Sequence, residues 1–446
     1  MRVSQTLLLA ACAGLLGCNP SDFNTILDKA PVLDLGTPGS STGSLFVLPL
    51  PAPNAATKVA ARMLVSRKDS NYLALADYDM NGKATLHEAG DVEAALVDPL
   101  NSVNPVNSMA VRSDGVVVLG TPKYGGGQTP AGRVSTLTMG SKADGSPTFT
   151  VQNGIKGDGR MGISVATGNI TGPLTGDFVA VGDNSVQLLG TDPAIPIASS
   201  PPSCQSLPTG SQTDFYAFRP VVVADLLGGG FDEIVLGGQA ATQGQVVFVQ
   251  YDGTAVLPCP TKALTLGSVG TFGTSLAAGD FDGDGNVDLA VGTPPNHVYV
   301  YFGPLDAHFG PLATATTFDV DIAGTTVTQF GKQIATYHLP GQASAQLLVA
   351  DPAASSPGAV GKVMLFNIIR GTATTPSTSQ LVATLFDSNK DSDPGLFGLN
   401  LGGVEFNAGL CGPTGTTQLV PWASLGPNIL TFFAYSVGLD PRCFAH

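Results

Sequence analysis

The chain has 446 residues, with 20 Lys and Arg against 34 Asp and Glu, a formal net charge of −14, and only 12% charged residues in all. This acidity excludes nucleic acid and anionic lipid headgroups as charge-driven partners, and an apolar content of 43% excludes a disordered chain. With 56 Gly and 33 Pro and no segment of sustained helical periodicity, the composition describes a turn-dense all-β protein.

The amino terminus reads as an export signal. Arg2 precedes a short apolar core at Leu7-Leu8-Leu9-Ala10-Ala11, too short to span a bilayer as a mature helix. The following Leu15-Leu16-Gly17-Cys18 resembles a bacterial lipobox. That resemblance implies removal of a signal peptide over residues 1–17 and acylation of the Cys18 thiol and amine, which anchors stably where one chain would not. The cut removes Arg2 and no acid, which takes the charge from −14 to −15. Asn19, in place of the Asp associated with inner-membrane retention, favours the outer membrane or cell surface. Residues 18–43, with Pro31, Pro38 and the small polar run starting at Gly39, are expected to form the acylated end and a flexible tether.

From residue 44 onward short apolar strands alternate with turns. Leu45-Phe46-Val47-Leu48-Pro49-Leu50 is the first strand candidate. Asp77, Asp79 and Asn81 then stand at ligand-like spacing before Gly82, and with Glu88 they satisfy the EF-hand pattern. An EF-hand needs flanking helices. Tyr72-Leu73-Ala74-Leu75-Ala76 and Ala84-Thr85-Leu86 look instead like two strands about an Asn-Gly turn. Next come Ser108-Met109-Ala110-Val111, an Asp114-Gly115 turn, and an apolar strand ending Gly120-Thr121-Pro122. Glycine runs at 125–127 and 228–230 lack the Lys-Ser/Thr and helix of a phosphate loop and read as turns.

The strongest chemistry lies further on. Asp280, Asp282, Asp284 and Asp288 follow D-x-D-x-D-G-x-x-D between a small-residue strand and an apolar one. A plain turn needs one Asp-Gly, not four spaced acids. Carboxylates so crowded repel unless a cation sits among them, and an oxygen-only donor set suits Ca²⁺. Gly283 and Gly285 allow the tight turn, and Asn286 offers its main-chain carbonyl.

The stretch from Phe272-Gly273 through this loop to Pro294, with the strand Val298-Tyr299-Val300-Tyr301-Phe302-Gly303, closely resembles the FG-GAP repeat, the blade unit of the integrin α-subunit β-propeller. In that family the loop joins two strands of a blade and binds calcium. The resemblance implies that Asp280, Asp282, Asp284, Asn286 (through its carbonyl) and Asp288 are ligands. It also gives Asp77, Asp79 and Asn81 a second reading as the first three positions of a blade-type calcium loop.

Copies of the Phe-Gly anchor recur at Met161-Gly162, Phe330-Gly331 and Phe397-Gly398, with Phe218 in a looser one, at spacings of 57, 54, 58 and 67 residues. The expected architecture is a seven-bladed β-propeller of four-stranded antiparallel blades over residues 44–446. Blades fall near 63–104, 105–155, 156–211, 212–267, 268–325, 326–390 and 391–446, with residues 45–50 available to complete the last and close the ring. Elsewhere the loops have lost their ligands. Asn169 and Asp177 keep the ends in the third blade and Asp225 and Glu233 in the fourth, while the sixth has His338 and Gly341 with no acid cluster. These are expected to be turns.

Export leaves Cys204, Cys259, Cys411 and Cys443 as disulfide candidates with three possible pairings, of which Cys204–Cys259 and Cys411–Cys443 are favoured. The first pair is 55 residues apart, close to one repeat period. The five histidines form no metal-spaced pair, so no catalytic constellation is expected. The functional expectation is a monomeric, non-catalytic binding or adhesion module at the cell envelope, with a protein or polysaccharide ligand. A propeller lyase or hydrolase and a scaffold subunit of an envelope complex are the alternatives.

Overall fold

The computed structural model describes residues 32–34, 45–50, 59–67, 72–79, 84–88, 105–125, 131–143, 146–157, 159–173, 175–183, 185–199, 220–240, 243–258, 260, 262–266, 269–309, 314–324, 329–338, 342–352, 361–386, 401–406, 418–425 and 429–432. The described residues form a β-propeller of successive antiparallel sheets, with one helix of four residues, Asp306–Phe309. No helix among them is long and apolar enough to cross a membrane.

Among the described residues, six sheets have four strands each. The first comprises Leu45–Leu50, Val59–Arg67, Leu73–Asp79 and Ala84–Glu88, ordered from the innermost strand outward. The second runs Ser108–Val111, Val117–Thr121, Arg133–Ser141, Pro147–Lys156, and the third Ser164–Gly168, Asp177–Val181, Val186–Leu189, Pro196–Ser199. The fifth is Ser275–Gly279, Asp288–Thr293, His297–Tyr301, Val320–Ala323, and the sixth Ile334–Tyr337, Gln346–Asp351, Lys362–Ile369, Thr378–Phe386. The last holds Leu401–Phe406, Gln418–Leu425, Ile429–Phe432 and, from the other end of the chain, Val32–Asp34. The innermost strands touch one another in succession, and Leu401–Phe406 meets Leu45–Leu50.

Three features correct the expectation. The fourth sheet (Val221–Ala224, Glu233–Ala240, Gln243–Val249, Lys262–Thr265) carries a fifth strand, Thr314–Ala315, paired parallel to its outer edge. Only six sheets therefore have the expected four-stranded form. Leu45–Leu50 does not complete the last sheet. It is the innermost strand of the first, with Leu45 opposite Arg67, because a short connection to Val59–Arg67 makes the local hairpin the accessible partner. The expected boundary near residue 63 thus falls inside a second strand. The strand that joins the last sheet is Val32–Asp34, within the stretch expected as tether, with Val32 opposite Thr431.

Burial explains the sequence pattern. The second strands Val117–Thr121, Asp177–Val181, Asp288–Thr293 and Gln346–Asp351 are buried throughout. Each is sandwiched between neighbouring sheets, so it reads as a continuous apolar run instead of alternating. Alternation survives at the rim, as in Val320–Ala323. The apolar core is divided among these contacts. One cluster joins Phe281, Val298 and Val300 of the fifth sheet to Phe330, Leu347 and Phe366 of the sixth.

The Phe-Gly anchors are the joints between sheets. Met161, Phe272 and Phe330 are buried, and the glycines after them have φ of +82°, +85° and +82°. The carbonyl of each glycine lies against a closing-strand glycine of the preceding sheet. A Cβ on Gly120, Gly237 or Gly292 would come within 2.1, 2.2 and 2.2 Å of the carbonyl oxygens of Gly162, Gly273 and Gly331. Ser108 and Ser275 hydroxyls donate to the Gly162 and Gly331 carbonyls, each at 2.8 Å. Phe218 and Phe397-Gly398 lie outside the described residues.

Candidate metal centre

The acidic loop joins the first and second strands of the fifth sheet, Gly279 being paired with Asp288. Asp280 shapes it. Its Oδ1 accepts the amides of Gly283 (2.7 Å) and Asp284 (3.1 Å), and its Oδ2 accepts that of Gly285 (2.9 Å). Gly283 and Gly285 have φ of +80° and +88°, which an L side chain adopts only with strain.

Asp288 closes the loop from beneath and is fully buried. Its Oδ2 accepts the Phe281 amide at 2.7 Å and its Oδ1 the Gly303 amide at 2.8 Å. Burial pushes its carboxyl up to about 7, outweighing those two amides, and Asp282 and Asp284 add to the rise. Gly303 has no room for a side chain, since a Cβ there would stand 2.2 Å from the Val287 carbonyl. Sequence reading missed this residue's role, because it lies beyond the third strand.

Asp282 is the exceptional group. Its side chain is 1% exposed. Oδ1 accepts the Asp284 amide at 3.1 Å, while Oδ2 is buried. The Arg370 guanidinium, from the end of the third strand of the sixth sheet, lies against that oxygen as an ion pair. Burial also raises the Asp282 carboxyl.

One oxygen each from Asp280, Asp282 and Asp288 lie within 4.8 Å of one another. Oxygens ligating one calcium ion at 2.3–2.6 Å sit at most about 5 Å apart, so this set fits a hard divalent cation. Asp284 is placed differently. It is exposed, accepts the Asn286 amide at 2.8 Å and its side-chain Nδ2 at 3.1 Å, and pairs with Arg370 at 3.1 Å.

Equivalent loops elsewhere use their end residues as hydrogen-bond acceptors. Asp177 Oδ2 accepts the Thr171 amide (2.7 Å) and the hydroxyls of Thr171 (2.7 Å) and Thr175 (2.6 Å). Asp225 accepts the amides of Gly228, Gly229 and Gly230, each at 2.9 Å, while Glu233 Oε2 accepts those of Leu226 and Leu227. The fourth-sheet loop thus copies the Asp280 cradle without acids at the two middle positions.

The 77–88 segment is a hairpin between the third and fourth strands of the first sheet, with Asp77 opposite Thr85. Strands on both sides exclude an EF-hand there, and an FG-GAP loop would join first and second strands. Asp77 is buried and held by Arg62 through Nε (2.6 Å) and Nη2 (2.7 Å), with His87 Nε2 at 3.3 Å. Asp79 ends its strand. Asn81, Cys18, Cys204, Cys259, Cys411 and Cys443 lie outside the described residues.

Beside the acidic loop opens a cleft of about 520 Å³ whose lining includes Phe302, His308, Thr317, Asp319, Arg370 and Ser377. His308 Nε2 lies 3.0 Å from Asp319 Oδ2, and this pairing raises the imidazole above its ordinary range. Burial alone would raise Asp319, but His308 and the Phe302 amide outweigh it and hold the carboxyl low. These residues come from separate loops of two sheets and share no local motif.

No match to a curated protein was found. Residues 272–301 match the family model described as the FG-GAP repeat. These residues span the anchor, the acidic loop and the first three strands of the fifth sheet: an FG-GAP repeat set in a β-propeller.

Proposed function

We propose that this chain is an exported lipoprotein, acylated at Cys18 and held at the outer membrane or cell surface, whose propeller is a calcium-stabilised, non-catalytic binding or adhesion module. Asp280, Asp282 and Asp288 hold the Ca²⁺, with Asp284 and the Asn286 carbonyl completing the set. The observation that carries the metal reading is the convergence of one oxygen each from Asp280, Asp282 and Asp288 within 4.8 Å, with the Asp282 side chain buried.

The ion's role is structural. It neutralises the crowded acids and fixes the hairpin against the sixth sheet, where the Asp280 carbonyl already accepts the Ala345 amide at 2.7 Å. A rigid ring with exposed connecting loops suits recognition, and a protein or polysaccharide of the envelope is the ligand class. The protein works as a monomer.

The test is retention of envelope proteins and polysaccharides on the immobilised full chain, in calcium and in chelator. Saturable retention of a defined partner that weakens in chelator supports the reading. A blank in both conditions, beside turnover in hydrolase or lyase screens, would replace it with catalysis in the propeller.

A further inference from the structure

The loop already holds one cation of its own. Arg370 Nε lies against Asp282 Oδ2, and its Nη2 is 3.1 Å from Asp284 Oδ2. A divalent ion held by Asp280, Asp282 and Asp288 would share the Asp282 carboxylate with that guanidinium. Two cations on one carboxylate repel, so metal and guanidinium compete for Asp282. Beyond its two carboxylate partners Arg370 is 42% exposed and meets the Phe302 ring, 4.5 Å from the guanidinium carbon. Phe302 lines the 520 Å³ cleft with Asp319, whose carboxyl is held low by His308 and the Phe302 amide, with Arg370 adding the smallest part. A guanidinium leaving Asp282 can keep the ring face and meet a second acid.

From this we infer that Arg370 is a displaceable internal cation of the loop. It neutralises Asp282 and Asp284 when no metal is bound, and metal binding moves it off them into the cleft beside Asp319. The metal affinity of the loop is then set by competition with the protein's own arginine, and the charge presented in the cleft depends on whether the loop is filled. The inference rests on the calcium reading of Asp280, Asp282 and Asp288.

Calorimetric titration of the full chain with calcium tests it, comparing wild type, Arg370→Gln and Arg370→Lys. Removing the competitor should tighten calcium binding about tenfold in Arg370→Gln, with Arg370→Lys between the two. In parallel, phenylglyoxal labelling followed by peptide mapping reads Arg370 directly, and its reactivity should rise when calcium is added. Equal or weaker binding in Arg370→Gln, or labelling of Arg370 that calcium suppresses, would make the arginine a support of the site and overturn the inference alone. Absence of calcium binding in all three proteins would remove the metal reading and this inference with it.

Discussion

Replacing Gly331 by Ala tests whether the Phe-Gly joints hold the propeller together. Two costs can be separated from the structure. Gly331 has φ of +82°, and placing an L residue there costs about 1–2 kcal/mol. The added Cβ would also stand 2.6 Å from the His297 carbonyl oxygen and 3.1 Å from Val298 Cγ2. Both belong to the fifth sheet, and relieving such an overlap in a close-packed joint costs about 1–3 kcal/mol more. Gly115 is the control: its φ is +81°, yet a Cβ there meets nothing within 4 Å. With an unfolding entropy of about 2.1 cal/mol/K per residue, a propeller of roughly 400 residues loses about 1 °C per kcal/mol. Scanning calorimetry should therefore show Gly331→Ala melting about 2–6 °C below wild type and Gly115→Ala only about 1–2 °C below. Equal shifts would refute the argument, because strain in φ would then account for everything and the close approach between sheets for nothing.

The His308–Asp319 pair makes a signed prediction about pH. His308 is raised in the folded state, so its contribution is complete below about 6.5 and is lost as pH rises through the folded value; Asp319 is lowered, so its contribution fades only below about 4. His308→Gln should accordingly lower the melting temperature more at about pH 5.5 than at about pH 8.5, and the reverse order would contradict the pairing. Asp288 acts in the same sense as His308. With its carboxyl raised to about 7, the metal-free protein should lose stability as pH climbs from about 4 through 7, a slope that Asp288→Asn removes. Protons compete for the same oxygens, so calcium affinity measured by titration should weaken as pH falls through that range. At the other end of the chain, Cys18→Ser should abolish incorporation of labelled palmitate and release the protein from the membrane fraction; continued labelling would place the anchor elsewhere.

The features legible in the sequence were those encoded locally. The acid spacing at 280–288 and the Phe-Gly anchors are short patterns whose chemistry is carried by adjacent residues, and both are found where the pattern puts them. The all-β class followed from turn density and apolar runs. What was missed depends on distant parts of the chain. Val32–Asp34 is a three-residue strand with no alternation to mark it, and Thr314–Ala315 is shorter still, so neither gives a periodic signal. Asp77 looked like a ligand because its neighbours have ligand spacing, yet strand pairing brings Arg62 across to occupy both its oxygens. Arg370 reaches Asp282 only because the sixth sheet packs against the fifth.

The central claim is that the Asp280–Asp288 loop binds calcium and that the ion stabilises the propeller. It is tested most directly by melting wild type and Asp282→Asn in saturating calcium and in chelator. At 100 times the dissociation constant, a bound ion adds about 2.7 kcal/mol, or about 3 °C for a protein of this size. The account predicts that gap between calcium and chelator in wild type and its loss in Asp282→Asn. A gap of the same size in both proteins, or none in wild type, would contradict it.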